Sequence, residues 1–546
     1  MSQGARTAYE IGRRHEATLT RAARDLGAHY TPSHVAEGLT RLALDRWSGR
    51  SVPTVVDPTC GAGVFLVAAA EELTRRGVDA AQALRAVRGV DSEPRTVAAA
   101  RQALAAWGEH HGVVDAAELA DGTVTCGDGF ALLDAVTHEG GADLVVGNPP
   151  FGSQLRGATV RTAEQRDELA WRFGALARGY VDLAGLFLVA GVRSLAPGGV
   201  CALIQPRSLV AASHAAGVRD AVRDAGRLVA MWVPSERVFD AVVQVCAPVV
   251  LADEGAPTGT EGGVAVMAEL HGSAAPRVEV PVGAPTWSTL LAVAQGVPPV
   301  DDAPAERWLG TQVVADAADV TAGFRDEYYG LVGLVAEQDD GRTGAAEDDL
   351  RLVTAGAIDV GAHGWGDRRQ RFAKAGWRRP VVRRRSLAEA SPAVQRWWGA
   401  LDRPKVLIAT QTRLVEAVAD VRGDLVPVTP VVSAVPTSTW DAEHLAAALC
   451  APPVAALAHH RVAGTGMSPV ALRVRAADVA RFPLPVDVAA WSAAVAELRA
   501  AVGGEQGAWE RYARVSTDAY GLGERDDLVD WWLGQLGRSA GRTSRG

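Results

Sequence analysis

Residues 143–154, DLVVGNPPFGSQ, run as an apolar strand and stop in Asn148-Pro149-Pro150-Phe151. Two successive prolines lack N–H donors and fix φ, so they end a central strand rigidly. The turn then presents a side-chain amide beside a flat ring. Upstream, TVVDPTCGAGVFLVAAA places an acid, Asp57, at a strand end, followed by a glycine turn and a helix. Gly61 and Gly63 let the backbone approach a ligand, with helix N–H groups directly behind. The spacing is not the GxGxxG of a pyrophosphate cradle, since Phe65 and Leu66 stand where the third glycine would fall. A smaller ligand with an amino-acid moiety suits it better, although such a turn can also be purely structural. Asp91 in RGVDSEP and Asp128 in TCGDGF end two further strands. Asp91 can accept from ribose hydroxyls or cap the helix starting near Pro94. Three strand-end acids followed by NPPF are hard to produce by helix capping alone.

The elements that must position these groups are legible from Ser51 to about Ala252. Short β-rich runs (TVVD, AVRGVD, TVTCGD, ADLVVGN, GVCALIQP, RLVAMWV, CAPVVLA) alternate with Ala-rich helical stretches. That rhythm predicts an α/β fold, a Rossmann-like, mostly parallel sheet with helices on both faces, binding ligands at the carboxyl ends of its strands. With 546 residues the chain is too long for one core, and about two to four domains are expected. The expected parts are an N-terminal helical segment (1–50), a catalytic domain (51–252), a C-terminal α+β target-recognition domain (264–485), and a helical segment with a disordered tail (486–546). The break between the second and third parts is DEGAPTGTEGG, a Gly/Pro-rich polar run. A net charge of −9 means that any nucleic-acid binding rests on a local patch. Cys60, Cys126, Cys201, Cys246 and Cys450 are scattered without a CxxC pair, which argues against a disulfide framework or structural zinc and for a reducing compartment. No apolar stretch reaches the roughly 20 residues of a membrane helix. The Arg-rich N-terminus contains Glu10, Glu16 and Asp25 and reads as a leading helix, not a targeting peptide. Cytoplasmic localisation is the default.

DPTCGAG, GVDSEP, CGDGF and GNPPF, in that order after HYTP (29–32), resemble the motifs of S-adenosylmethionine-dependent amino-methyltransferases, in particular N6-adenine DNA methylases of the gamma arrangement. The resemblance covers residues 29 to about 252 and weakens beyond. It implies S-adenosyl-L-methionine as cofactor, with no metal. It places Tyr30 and Thr31 in the cofactor motif, Thr31 on the methionine carboxylate, Asp57 on its amino group, Asp91 on the ribose and Asp128 on the adenine amino group. It makes Asn148, Pro149, Pro150 and Phe151 catalytic. The Asn148 side-chain oxygen and the Pro149 carbonyl would accept from the exocyclic N6 of adenine, and Phe151 would stack on the base. A duplex base must be flipped out for this to happen. Phe239 resembles a second aromatic on the flipped base, or else it is a core phenylalanine. Asp182 in GYVDLAGLF matches a motif position and is expected to order a helix.

The segment DRRQRFAKAGWRRPVVRRRS interleaves arginines with Phe372 and Trp377, a composition suited to a phosphate backbone. Arg383, Arg384 and Arg385 are its expected double-stranded DNA contacts, the alternative being a solvated face. Trp397 and Trp398 are expected in the core. The reading is an adenine-N6 DNA methyltransferase of restriction-modification or phage-defence type. Any nuclease would lie in a partner protein. The short N-terminal region argues for a standalone enzyme over a type I modification subunit. The alternatives are an rRNA or protein-glutamine N-methyltransferase, or a catalytically idle DNA-binding subunit.

Overall fold

The structure is a computed structural model. It describes the chain except residues 19–30, 50, 152–162, 178–181, 235, 237, 240–243, 253–263, 271–277, 281–286, 301–311, 324, 339–347, 438, 465, 467–470 and 544–546. Two compact units result, Met1–Ala294 and Gln295–Gly546.

All seven strand runs of the sequence form strands in the first unit. They are β1 (Val55–Asp57), β2 (Val87–Asp91), β3 (Val124–Cys126), β4 (Ala142–Gly147), β5 (Leu195–Leu203) with its continuation β6 (Gln205–Pro206), β7 (Arg227–Trp232) and β8 (Val245–Leu251). β9 (Val264–Met267) and β10 (Val278–Val280) extend the same sheet, in the order β10-β9-β7-β8-β5-β4-β1-β2-β3 with β6 on β8. β4, β1, β2, β3 and β5 run parallel, whereas β8 is antiparallel to both β5 and β7. β1 is buried throughout, as expected of a strand covered on both faces. One face packs beneath α1 (Gln3–Ala17), α2 (Ser33–Leu44), α3 (Val64–Arg75) and α4 (Pro94–His110), in a core that includes Ala5, Leu39, Leu66 and Trp107. The other face is closed by the helices Gly129–His138 and Leu183–Arg193, around Phe130 and Phe187.

Two expected boundaries move. β9 and β10, assigned from sequence to the C-terminal half, pair into the first sheet because β9 finds an open edge on β7. α1 belongs to the first core and is not a separate segment. Its buried positions are Gly4, Ala5, Ala8, Tyr9 and Gly12, mostly small, so its backbone lies close to α4. A Cβ on Gly4 would stand 2.9 Å from His110. Ser2 fastens the start of α1 to Glu71, which also accepts from the buried Trp107 indole at 3.0 Å. The expected 253–263 break lies outside the described residues.

The second unit holds β11 (Ala318–Ala322), β12 (Val335–Glu337), β13 (Asp349–Val353), β14 (Gln370–Phe372), β15 (Ala375–Trp377), β16 (Pro380–Arg383), β17 (Lys405–Ala409), β18 (Gln411–Thr412), β19 (Ala417–Asp420), β20 (Leu425–Pro427), β21 (Val431–Pro436) and β22 (Leu472–Arg473). Two four-stranded sheets, β11-β21-β17-β19 and β12-β16-β13-β20, make its centre. Trp398 is core and Trp397 packs on that core. The helices Val488–Val502 and Ala508–Ala519 dock into this unit, with the Trp491 indole and the Tyr512 and Tyr520 hydroxyls donating to the carbonyls of His444, Ala447 and Ala448. The expected tail is helical as far as Thr543. Among the described residues no helix is long and apolar enough to cross a membrane.

Candidate active site

The chain leaves β1 for β2 and β3 on one side and returns as β4 on the other. Asp57 and Asn148 therefore flank the point where strand order reverses, the crevice where open α/β sheets bind ligands. Their approach depends on Gly147, where a Cβ would stand 2.5 Å from Asp57 Oδ1.

Asp57 is 1% exposed. Its Oδ1 accepts the Thr59 N–H at 3.0 Å, while Oδ2 is buried without a partner among the described residues. Burial without a counter-charge pushes this carboxyl up to about 8, with Asp91 adding like-charge repulsion. Among the described residues no cationic side chain pairs with this carboxyl, and Oδ2 is the atom that would receive one.

Asp91 accepts from Gly61 N–H at 3.2 Å and from Glu93 N–H at 2.9 Å. It braces the glycine turn against the end of β2, and its burial raises its pKa. It is not the side-chain cap of α4, whose N-cap position is Glu93. Each carboxylate oxygen keeps a further lone pair for a ligand hydroxyl. Gly61 and Gly63 adopt φ of 51° and 85°, left-handed values that side chains with a Cβ resist. Gly63 caps α3. On the same side, His15 at the end of α1 lies 3.1 Å from the Thr96 hydroxyl.

Asp128 behaves differently. It caps the helix Gly129–His138 by accepting the Ala131 N–H at 2.9 Å, so one of the three strand-end acids also serves as a helix cap. Asp182 likewise caps Leu183–Arg193, as expected.

The Asn148 amide is held from one side. Its Nδ2 donates to the hydroxyl of Thr31, itself 3% exposed, at 3.1 Å, and its Oδ1 is buried without a partner among the described residues. Thr31 thus orients the amide so that its acceptor stays free, a pairing with no signal in the sequence because the two residues are far apart in the chain. Phe151 is half-buried against the first core, and Phe239, 6% exposed, lies inside that same core. Core packing is the position of Phe239 in this conformation. Tyr30 lies outside the described residues.

Four further residues carry the site. Among the described residues the Thr59 hydroxyl, in the Asp57 turn, is buried and unpaired, as are both amide atoms of Gln205 just beyond β5. Gly147 and Gly129 permit close approaches, and a Cβ on Gly129 would stand 2.1 Å from the Pro58 carbonyl. The GDGF and VVGNPP strings contain these glycines but do not say what they must clear.

Arg383, Arg384 and Arg385 do not form one cationic face. Arg383 ends β16 and is exposed, Arg384 is ion-paired to Asp402, and Arg385 lies 3.8 Å from the Asp348 carboxylate.

The N-6 DNA methylase family profile matches residues 7–267, from within α1 to the end of β9. Over these residues the chain is similar to the N-6 DNA methylase family. A stretch of 202 residues is 24% identical to the Type II methyltransferase M.BanIII of Aneurinibacillus aneurinilyticus. The match covers 36% of this chain and spans a third of that relative's length. The fold is similar to that of the Type IIL restriction-modification enzyme MmeI solved in complex with DNA, with a TM-score of 0.59 at 11% identity over 97% of this chain and 81% of that one. It is also similar to the DrdV–DNA complex, with a TM-score of 0.50 at 10% identity over 91% and 59% of the two chains. The likeness in fold to MmeI takes in residues of both units.

Proposed function

We propose that this chain is an adenine-N6 DNA methyltransferase of restriction-modification type that uses S-adenosyl-L-methionine. One observation carries the reading. At the end of β4 a rigid turn holds an amide whose N–H side is engaged by Thr31 and whose oxygen is left buried and free. An acceptor in that state wants a planar N–H donor.

The residues present fit the cofactor. Asp57 offers a buried carboxylate oxygen, unpaired among the described residues, to an ammonium group, Thr31, whose hydroxyl accepts from Asn148, is the proposed contact for the carboxylate end, and Asp91 keeps lone pairs for ribose hydroxyls. Asp128, with its helix cap, is the proposed acceptor for the adenine amino group, and Tyr30 belongs to the same motif. When bound, S-adenosylmethionine supplies an electrophilic methyl group on a sulfonium. The chain does the rest by positioning. The lone pair of adenine N6 is delocalised into the ring; acceptance of its two N–H bonds by Asn148 Oδ1 and the Pro149 carbonyl favours the pyramidal, donating form. Pro149 and Pro150 fix both acceptors, and Phe151, backed by the core that contains Phe239, holds the base by stacking. The base reaches this site by leaving its duplex. The partner is double-stranded DNA, read by the second unit, and restriction or defence proteins are the expected company.

Incubation of the full chain with labelled S-adenosylmethionine and mixed-sequence duplex DNA should yield N6-methyladenine at one sequence context. Label on RNA or protein but not on DNA would overturn the assignment.

A further inference from the structure

The second unit carries a hairpin with two chemically opposite faces. β14 and β15 pair Gln370 with Trp377, Arg371 with Gly376 and Phe372 with Ala375. Phe372, 2% exposed, packs in the core beside Tyr328, and the buried Gln370 side chain accepts the Thr354 N–H at 2.9 Å. Strand alternation sends Arg369, Arg371 and Arg378 to the other face, with Lys374 at the tip, and all four are exposed. The Arg369 guanidinium lies over Gly376, 3.6 Å from where a Cβ would stand.

The turn is Ala373-Lys374, both left-handed, at φ of 51° and 64°. Two-residue turns of this shape favour Asn-Gly, because a Cβ resists positive φ. Here the conformation is braced from below: Ala373 N–H donates to the Tyr328 hydroxyl at 3.2 Å and the Trp377 indole donates to the Phe372 carbonyl at 3.1 Å. Strain held rigidly at an exposed tip points to a use for the side chain placed there.

The charges on this face are mostly free. Among the described residues Arg369, Arg371 and Lys374 have no ion-pair or hydrogen-bond partner, whereas Arg368 is paired with Asp359 and Arg378 Nε donates to the Gly366 carbonyl. Of the nearby acids, Glu337 is engaged by the backbone N–H groups of Arg378 and Arg379, and Asp367 is exposed. Three unpaired cations on one face of a ribbon, in a chain of net charge −9, make a local site for a polyanion.

We propose that this hairpin engages duplex DNA, entering a groove with Arg369, Arg371 and Lys374 set against phosphates. A two-stranded β-ribbon fits the major groove of B-DNA. The inference rests on the methyltransferase reading for the identity of the polyanion. The test is titration of the full chain with duplex at several salt concentrations. Replacing Arg369, Arg371 and Lys374 with alanine should flatten the log-affinity against log-salt slope by about two to three units, at about 0.9 per phosphate, for every sequence. Lys374→Gly alone relieves a positive φ, so the fold should hold while about one unit of slope is lost; this variant decides the matter should the triple variant not fold. Loss of preference at one base pair after Arg371→Ala, with the slope intact, also keeps the ribbon in the groove. Unchanged slope and unchanged preference in folded variants overturn the hairpin assignment alone. A wild-type chain that binds cofactor but neither binds nor methylates duplex overturns the functional reading beneath it.

Discussion

At the scale of single residues, Asp57 is the most consequential titratable group. Its carboxyl sits at about 8 when the crevice holds no counter-charge, so it binds a proton more tightly folded than unfolded. Between the ordinary carboxylate range and about pH 8, stability therefore falls as pH rises, and Asp57→Asn should remove that dependence in thermal unfolding. Cofactor binding runs the other way. An ammonium against Oδ2 favours the ionised carboxylate, so affinity should climb from pH 6 to about 8 by up to roughly tenfold per unit, with release of close to one proton. Above that range the cofactor's own α-amino group, at about 7.7–8.0, loses its charge. Calorimetry in buffers of different ionisation enthalpy reads the proton directly, and a flat profile would dissociate Asp57 from the ligand amine. Asn148→Ala should depress methyl transfer steeply with cofactor affinity nearly unchanged. Thr31→Val keeps the acceptor but frees the amide that carries it. Loss of one neutral hydrogen bond, worth about 1 kcal/mol, predicts a several-fold slower transfer in single-turnover assays.

At the scale of elements, the junctions matter more than the strands. Gly147→Ala would put a methyl group 2.5 Å from Asp57 Oδ1, in a site with nowhere to move. A stability loss of about 1–3 kcal/mol should accompany a loss of cofactor affinity, read by denaturant unfolding and calorimetry on the same protein. The N-terminal helix is held as firmly. Glu71 receives Ser2 and the fully buried Trp107 indole, so Glu71→Ala strands a buried donor at a cost of roughly 1–3 kcal/mol. These dependencies were illegible in the sequence. The apolar runs announced the strands, because a parallel strand buried on both faces must be apolar throughout. Nothing local announced that β9 would find the β7 edge, or that α1 would close the first core.

At the scale of the whole molecule, a chain of net charge −9 must bind a polyanion through a confined surface, and affinity for any duplex should fall steeply with salt. The Arg383–Arg385 run was the natural place to look, yet two of its members are committed to Asp402 and Asp348. Replacing all three with alanine should therefore change the salt slope by about one phosphate equivalent, near 0.9, and not by three. A change near three units in that variant would mean those ion pairs open on DNA.

The chemistry of the first unit was fixed locally. An acid at a strand end, glycines that take left-handed φ without the cost a Cβ imposes, and a strand terminated by two prolines are written in consecutive residues, and adjacency in the chain makes them adjacent in space. The pairing of Thr31 with Asn148, the unpaired oxygen this leaves, and the elevated carboxyl of Asp57 were decided only by folding. Each depends on which distant group fills, or fails to fill, the space beside it. The basic segment shows the same division. Its composition gave the charge, but strand alternation and partner acids determined which cations remain free.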